Sequence, residues 1–240
     1  VRYGIFADIH ANEPALDAVL AALEGDGVDR LLCLGDLVGY GADARACVDK
    51  VRGLGIPVIA GNHDWAVAGR LGLEYFNPHA RDAVLWTREQ LTEEDLTWLA
   101  GLETLQIHAS FTLAHGTVHD PDAFEYLTTG YDAYRSFSAM TTDVGFVGHS
   151  HVPVAFFFDG TAVTYSVEAD IEVGGRRVIA NPGSVGQPRD EDPRAAYLIY
   201  DEDASRIHLR RVVYDIEEAS RRILDAGLPP ILAERLHIGR

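Results

Sequence analysis

With 240 residues, 47% of them hydrophobic and 24% charged, the chain can bury a sizeable core and falls in the ordinary globular class. A formal net charge of −17 argues against a protein that grips long nucleic acid with Lys and Arg. It leaves room for a small anionic substrate, because bound metal ions reverse the field locally. Two cysteines, Cys33 and Cys47, are too few for a disulfide framework, and Cys33 in LLCLGD reads as a small buried hydrophobe. No apolar run reaches the length of a membrane span, and the N-terminus carries no basic region followed by an apolar stretch. The expectation is a cytoplasmic protein with no membrane partner.

The first sixty residues alternate between two periodicities. YGIFAD (3–8) is a buried strand, and PALDAVLAALEG (14–25) a helix with Leu16, Val19, Leu20 and Leu23 on one face and Pro14 in its first turn. RLLCLGD (30–36) is a second strand, ARACVDKVRGLG (44–55) a helix stopped by glycine, and PVIAGNHD (57–64) a third strand. Apolar strands separated by helices imply parallel pairing with helices against the sheet. Residues 65–103 change character. PHARDAVLWTREQL (78–91) and TEEDLTWLAGL (92–102), the latter with Thr92 as N-cap, read as a helical insertion.

The second half is rich in strands: TLQIHAS, FTLAHG, VGFVGHS, PVAFFFD, RRVIANPG, AAYLIYD and RIHLRRVVYD. Asp159-Gly160 and Gly174-Gly175 are hairpin signals. A helix near 215–226 and a short one after Pro230 close the chain. With no repeats and no Pro- or Ser-rich linker, one domain over 1–240 is expected, built of two sheets face to face with helices outside.

The residues immediately after the apolar segments carry the chemistry. YGIFAD-I-H leaves Asp8 and His10, and LLCLGD leaves Asp36. PVIAGNHD leaves Asn62, His63 and Asp64, FTLAHG leaves His115, and VGFVGHSH leaves His149 and His151. The C-terminal edge of strands is where ligands bind in open α/β sheets. Asp, Asn and His without thiolate suit transition metals, and an oxygen-only Mg²⁺ or Ca²⁺ cage would not use so many histidines. There are more donors than one ion needs, so a two-metal site is the natural count. The i, i+2 spacing of Asp8/His10 and of His149/His151 suits strands running out into loops that serve neighbouring ions.

D-x-H (8–10), GD (35–36), GNHD (61–64), HG (115–116) and GHSH (148–151), in this order, resemble the calcineurin-like metallophosphoesterases. DIHAN, GDLVGYG and NPGSVGQPRD look like the bacterial branch related to diadenosine tetraphosphatase. The resemblance implies an α/β four-layer αββα sandwich of two mixed sheets with a dimetal site at the strand C-terminal edge. It implies Asp8, His10 and His151 on the first ion, Asn62, His115 and His149 on the second, and Asp36 bridging. The cofactors would be two divalent transition metal ions, Mn foremost, with Fe, Zn, Ni or Co as alternatives.

Hydroxide between the ions would attack phosphorus directly, with no phosphoenzyme. His63 would lie over the substrate phosphate, stabilising the transition state or protonating the leaving oxygen, with Asp64 orienting and charging its ring, capping the helix at WAVAGR, or doing both. The implied activity is hydrolysis of a phosphomonoester, phosphodiester or nucleotide pyrophosphate. The alternatives are a non-catalytic metal-binding scaffold of the same fold, or a phosphoprotein phosphatase. The partner would be a small phosphorylated substrate, nucleotides included, and not long nucleic acid; oligomeric state has no signature.

Substrate contacts are less marked. Arg189 reads either as a phosphate clamp, because its planar fork matches phosphate oxygens, or as an exposed loop arginine. Asn12 either hydrogen-bonds at the site or caps the helix behind Pro14, and Tyr40 either lines the mouth or packs. His119 in VHDP stands in a stretch where relatives carry arginine, and is a candidate pH-dependent phosphate contact. Asn181 and Gly183 in NPGS read as a turn supporting the metal loops. His79 faces either the cleft or solvent.

Overall fold

The central strands are apolar on both faces, so each of them serves two cores at once. The computed structural model describes residues 1–74 and 76–240; position 75, inside the expected helical insertion, lies outside the described residues. The first sheet combines β1 (Arg2–Phe6), β2 (Arg30–Cys33), β8 (Asp170–Glu172), β10 (Ala195–Asp201) and β11 (Arg206–Val212), in the order β2-β1-β10-β11-β8. The second combines β3 (Leu105–Ile107), β4 (Phe111–Ala114), β5 (Val144–Phe146), β6 (Val154–Phe158), β7 (Val163–Ser166) and β9 (Arg177–Asn181), in the order β3-β4-β5-β9-β6-β7. Both sheets are mixed. β1 pairs parallel to β2, and β4, β5 and β9 pair parallel to one another, while the flanking strands are antiparallel.

The inner faces meet in one core. Tyr3 and Ile5 of β1, Leu32 of β2 and Leu198 and Tyr200 of β10 pack against Phe111, Leu113, Phe146, Phe157 and Val178 of the other sheet. The alternate residues, Phe6, Tyr197 and Ile199 among them, face the helices α1 (Glu13–Gly25) and α2 (Ala44–Gly53) through Leu16, Val19, Leu23, Cys47 and Val48. On the far side α6 (Gly130–Ala139) covers the second sheet with Ala133 and Phe137 against Phe156 and Ile179. Four layers result: helix, sheet, sheet, helix. α7 (Ile216–Asp225) and α8 (Pro230–Ile238) pack on each other and on α4 (Pro78–Gln90) through Ile223, Leu232, Leu236 and Ala83. Among the described residues no helix is long and apolar enough to cross a membrane.

The helix starts are chemically specified. Asn12 caps α1 by accepting from Ala15 N at 3.1 Å, and Asn77 caps α4 by accepting from Ala80 N at 3.0 Å. α5 (Glu93–Ala100) opens on a reciprocal pair in which Thr92 Oγ1 accepts from Asp95 N and Asp95 accepts from Thr92 N. Such caps contribute about 1 kcal/mol each.

Three expectations are corrected. The strand expected over 57–64 shrinks to one parallel bridge, Cys33 with Val58, and Asn62–Val67 is instead a helix, α3. The reason is local: the Asp64 carboxylate accepts from Gly61 N at 2.9 Å and so closes the first helical turn. Gly174-Gly175 is not a hairpin, because β8 pairs with β11 in one sheet and β9 lies in the other. α6, β7 and β8 were not expected; only Ala133, Ser136 and Phe137 of α6 are buried, too sparse a stripe to mark the helix by periodicity.

Phe146 is fully buried between the sheets, 5.9 Å from the Phe111 ring and 5.5 Å from the Tyr200 ring. Phe146→Ala is expected to lower unfolding stability by about 3–5 kcal/mol in urea titration.

Candidate metal centre

The parallel strands decide where the chemistry gathers. β1 and β2 in one sheet, and β4 and β5 in the other, all end on the same side of the molecule. The loops then interlock: across the sheets His149 N donates to both oxygens of Asp8 at 3.1 Å, and within the second sheet Gly148 N donates to His115 O at 2.8 Å. Asp8, His10, Asp36, His149 and His151 all adopt left-handed φ values between 49° and 69°. Asp, Asn and His tolerate this region better than other residues, and such strain concentrates at functional sites.

Two ligand clusters form, and Asp36 belongs to both. Asp8, His10, Asp36 and His151 each present a ligand atom, mutually within 4.8 Å, and so do Asp36, His115 and His149. Asp36 Oδ2 lies 3.6 Å from His10 Nε2 and 3.3 Å from His115 Nε2, while its Oδ1 accepts from His63 N at 2.8 Å. Asn62 Oδ1 is buried with no hydrogen-bond partner among the described residues.

The histidine tautomers follow from the backbone. Nδ1 of His10, His115 and His151 contacts Val38 O at 3.1 Å, Leu34 O at 2.7 Å and Gln187 O at 2.5 Å. A carbonyl can only accept, so Nδ1 carries the proton in each ring and Nε2 keeps its lone pair when the ring is neutral. His10 Nε2 and His151 Nε2 then face each other at 3.1 Å, lone pair to lone pair. That arrangement is repulsive unless a cation sits between them, and it fits metal ligation. Burial, the largest influence, holds the pKa values of His10, His149 and His151 well below the ordinary range, which keeps them neutral as ligands must be.

The carboxylates divide. Burial lifts Asp8 up to about 7. Burial also opposes charge on Asp36, but His115, His63 and His10 together hold its carboxyl well below the usual carboxylate range. His115 feels the same burial, and the pull of Asp36 and Asp8 outweighs it, carrying the ring up to about 9.

A model of the calcineurin-like phosphoesterase superfamily domain matches residues 1–205. The chain belongs to that superfamily. It is 37% identical to an uncharacterised protein of Methanocaldococcus jannaschii over 241 residues, spanning 98% of this chain and 97% of the other. It is also 42% identical to the crystal structure of a metallophosphoesterase from Sphaerobacter thermophilus, with a TM-score of 0.88, covering 100% and 99% of the two chains. A hypothetical protein of Pyrococcus horikoshii shares the fold, at 20% identity and a TM-score of 0.79 over 100% and 98%. The calcineurin-like superfamily generally uses a dimetal centre, and the two clusters joined at Asp36 are the candidate for it in this member. Asp8, His10, Asp36 and His151 can hold one ion, and Asp36, Asn62, His115 and His149 the other.

A cavity of about 240 Å³ lies over these ligands, lined by Asp36, Asn62, His63, His149 and His151 together with Tyr40 and Arg189. The His63 ring stands 4.5 Å from Tyr40, 4.8 Å from His10 and 5.0 Å from Phe76, and its Nδ1 has no partner among the described residues. Arg189 Nη2 donates to Tyr40 Oη at 3.3 Å and to Gln187 Oε1 at 3.0 Å, and its buried Nε is unpartnered among the described residues.

Of the two roles expected of Asp64, its contacts fit the helix cap and not the orienting of the His63 ring. Its oxygens accept from Asp36 N at 2.8 Å, Leu37 N at 2.9 Å and Gly61 N at 2.9 Å, and none contacts the His63 ring. It sits beneath the metal loops and ties them together. Asn12 does not line the cavity; its oxygen caps α1 and its amide donates to Gly186 O at 3.0 Å. His119 is also absent from the lining. Its Nδ1 meets Ser136 Oγ at 3.2 Å and its Nε2 lies 3.4 Å from Glu125, beside Phe124 and Tyr126. Asn181 supports the site as expected, donating to Gly148 O at 2.6 Å and Ser150 Oγ at 3.0 Å.

Sequence reasoning missed Leu71, Phe76, Phe124 and Tyr126 in the lining. They lie in the short mixed runs LGLEYF (71–76) and AFEYL (123–127), where no spacing distinguishes them from packing residues.

A Cβ on Gly61 would stand 2.0 Å from Asp36 Oδ1 and 2.5 Å from Asp36 N. Gly61→Ala is expected to displace the shared carboxylate and weaken Mn²⁺ binding at least about tenfold by calorimetry. A second expectation concerns protons. Because the raised His115 and Asp8 pKa values leave both groups protonated or partly so at pH 7, and ligation needs them free, metal uptake should release about one to two protons. Apparent metal affinity should therefore fall as pH drops from 9 to 6, measurable by calorimetry in buffers of different ionisation enthalpy.

Proposed function

We propose that this calcineurin-like protein is a dimetal-dependent hydrolase of a small phosphomonoester, phosphodiester or nucleotide pyrophosphate. The observation that carries the reading is the meeting of two ligand clusters at Asp36, in a cavity that also presents His63 and Arg189. Two bound ions supply Lewis-acid polarisation of a phosphoryl oxygen and a water of lowered pKa. The Asp, Asn and His donor set suits Mn²⁺ first, with Fe, Zn, Ni or Co as alternatives. In the overall reaction the oxygen of water bonds to phosphorus, the bond to the leaving oxygen breaks, and that oxygen takes a proton.

The chain's own residues prepare each part of this. Arg189, held by Tyr40 and Gln187 with its Nε free, offers a preorganised fork to phosphate oxygens. Burial lowers the His63 pKa to about 4, so the ring is neutral before substrate arrives. A phosphate beside it brings negative charge that opposes this lowering. Substrate binding thus draws onto His63 the proton that the leaving oxygen needs. Tyr40, His10 and Phe76 hold the ring plane meanwhile. The cavity volume of about 240 Å³ and the net charge of −17 both favour a small substrate over long nucleic acid or protein.

The test is phosphate or nitrophenol release from an aryl phosphomonoester, an aryl phosphodiester and a nucleotide pyrophosphate by protein reloaded with Mn²⁺. Turnover of at least one is expected, lost on chelation and restored by Mn²⁺. His63→Ala should lower kcat about 10²- to 10⁴-fold, and Asp36→Asn should nearly abolish it. A chain that binds two ions yet turns over none of the three would instead be a metal-binding scaffold.

A further inference from the structure

Segment 149–152 serves two cavities at once. His149 and His151 line the cavity over the metal ligands, while Ser150 and Val152 line a second cleft of about 640 Å³. Tyr126 borders both. One face of its ring is stacked on His149, centroids 4.0 Å apart and planes within 15°, yet Tyr126 remains 50% exposed. The second cleft and the metal cavity thus share Tyr126 as a flat aromatic wall.

The lining of this cleft is that of a small-molecule site and not of solvated surface. Val154 and Phe156 of β6 are buried within its lining, Tyr165 and Val167 stand 71% and 63% exposed, and Thr128, Thr129 and Ser150 supply hydroxyls. Ligand sites combine apolar and aromatic lining with a few polar groups in this way, at volumes of about 300–1,000 Å³. The metal cavity, at about 240 Å³, is the smaller of the two.

Resting on the phosphoesterase reading, we propose that the cleft beyond Tyr126 is the subsite for the esterified group, and that Tyr126 selects substrates in which this group is a planar ring. A ring stacked on the open face of Tyr126 would continue the stack that begins at His149. The phosphoryl group would then lie over Asp36, and the ring would be screened from water by Phe156 and Tyr165. An aryl alcohol and a nucleoside share this chemistry. A flexible alkyl alcohol gains none of the stacking.

The experiment compares kcat/KM for 2-naphthyl phosphate and for adenosine 5′-monophosphate, each against butyl phosphate, in Mn²⁺-loaded protein. Tyr126→Ala should lower at least one ring-to-alkyl ratio about tenfold, and Tyr126→Phe, which keeps the plane, should retain it. The ratio that falls identifies an aryl or a nucleoside group as the occupant. Val167→Trp, at an exposed position that lines the second cleft and not the metal cavity, should lower the same ratio by crowding. Ratios unchanged in both Tyr126→Ala and Val167→Trp, or lowered by Phe76→Ala and not by Tyr126→Ala, would overturn the assignment. Calorimetric binding of 2-naphthylmethylphosphonate against methylphosphonate repeats the comparison without turnover. It separates failure of the cleft, where the two phosphonates bind alike, from failure of hydrolysis, where the ring preference persists without any turnover.

Discussion

Asp8 and Asp36 are 0% and 1% exposed, and among the described residues neither has a Lys or Arg within ion-pair distance. Burying two carboxylates side by side costs several kcal/mol unless cations compensate them. His115, carried up to about 9, is the charged neighbour of both, while burial keeps His10, His149 and His151 neutral, so the protein itself supplies only part of that compensation. The rest of the site is organised around this deficit of positive charge, which a pair of metal ions would remove.

Holding uncompensated carboxylates in place requires a rigid frame, and the sandwich provides it through its parallel strands. The loops after β1 and β2 run side by side, with Asp8 N donating to Gly35 O at 3.0 Å, His10 N to Asp36 O at 2.9 Å and Ala11 N to Leu37 O at 2.9 Å. Asp64 gathers three backbone N–H groups of this frame onto one carboxylate. Ser184 Oγ and Gly186 N donate to Asp8 O from the turn after β9 at 2.8 and 2.9 Å. Left-handed backbone at five ligands costs about 1–2 kcal/mol each, and the hydrogen bonds around them hold it in place.

The same frame separates two tasks. Charged and ligating atoms face the metal cavity, whereas the aromatic rings of Phe76, Phe124 and Tyr126 form walls contributed by segments outside the sheets. His119, with Ser136 and Glu125, braces the segment that carries two of those rings. Its place in the protein is therefore structural support of the wall, at one remove from phosphate. Ligating atoms and aromatic walls are thus contributed by different parts of the chain.

The ligand set was legible in the sequence because each donor comes directly after an apolar segment, and strand period and pairing direction bring such ends to one edge. The fold class was legible for the same reason: alternating strands and helices admit few packings. Asp64 stayed ambiguous in the sequence because its type and spacing beside His63 are compatible with two roles, and only the positions of Gly61, Asp36 and Leu37 N–H groups choose between them. The Gly174-Gly175 turn was misread because sheet membership of β8 and β9 is settled by partners far away in sequence. Residue types and their order determined which atoms can bind metal. Which oxygen is shared, which histidine nitrogens face each other, and which aromatic rings wall the cavity were decided by tertiary packing, because those contacts join segments up to 141 residues apart.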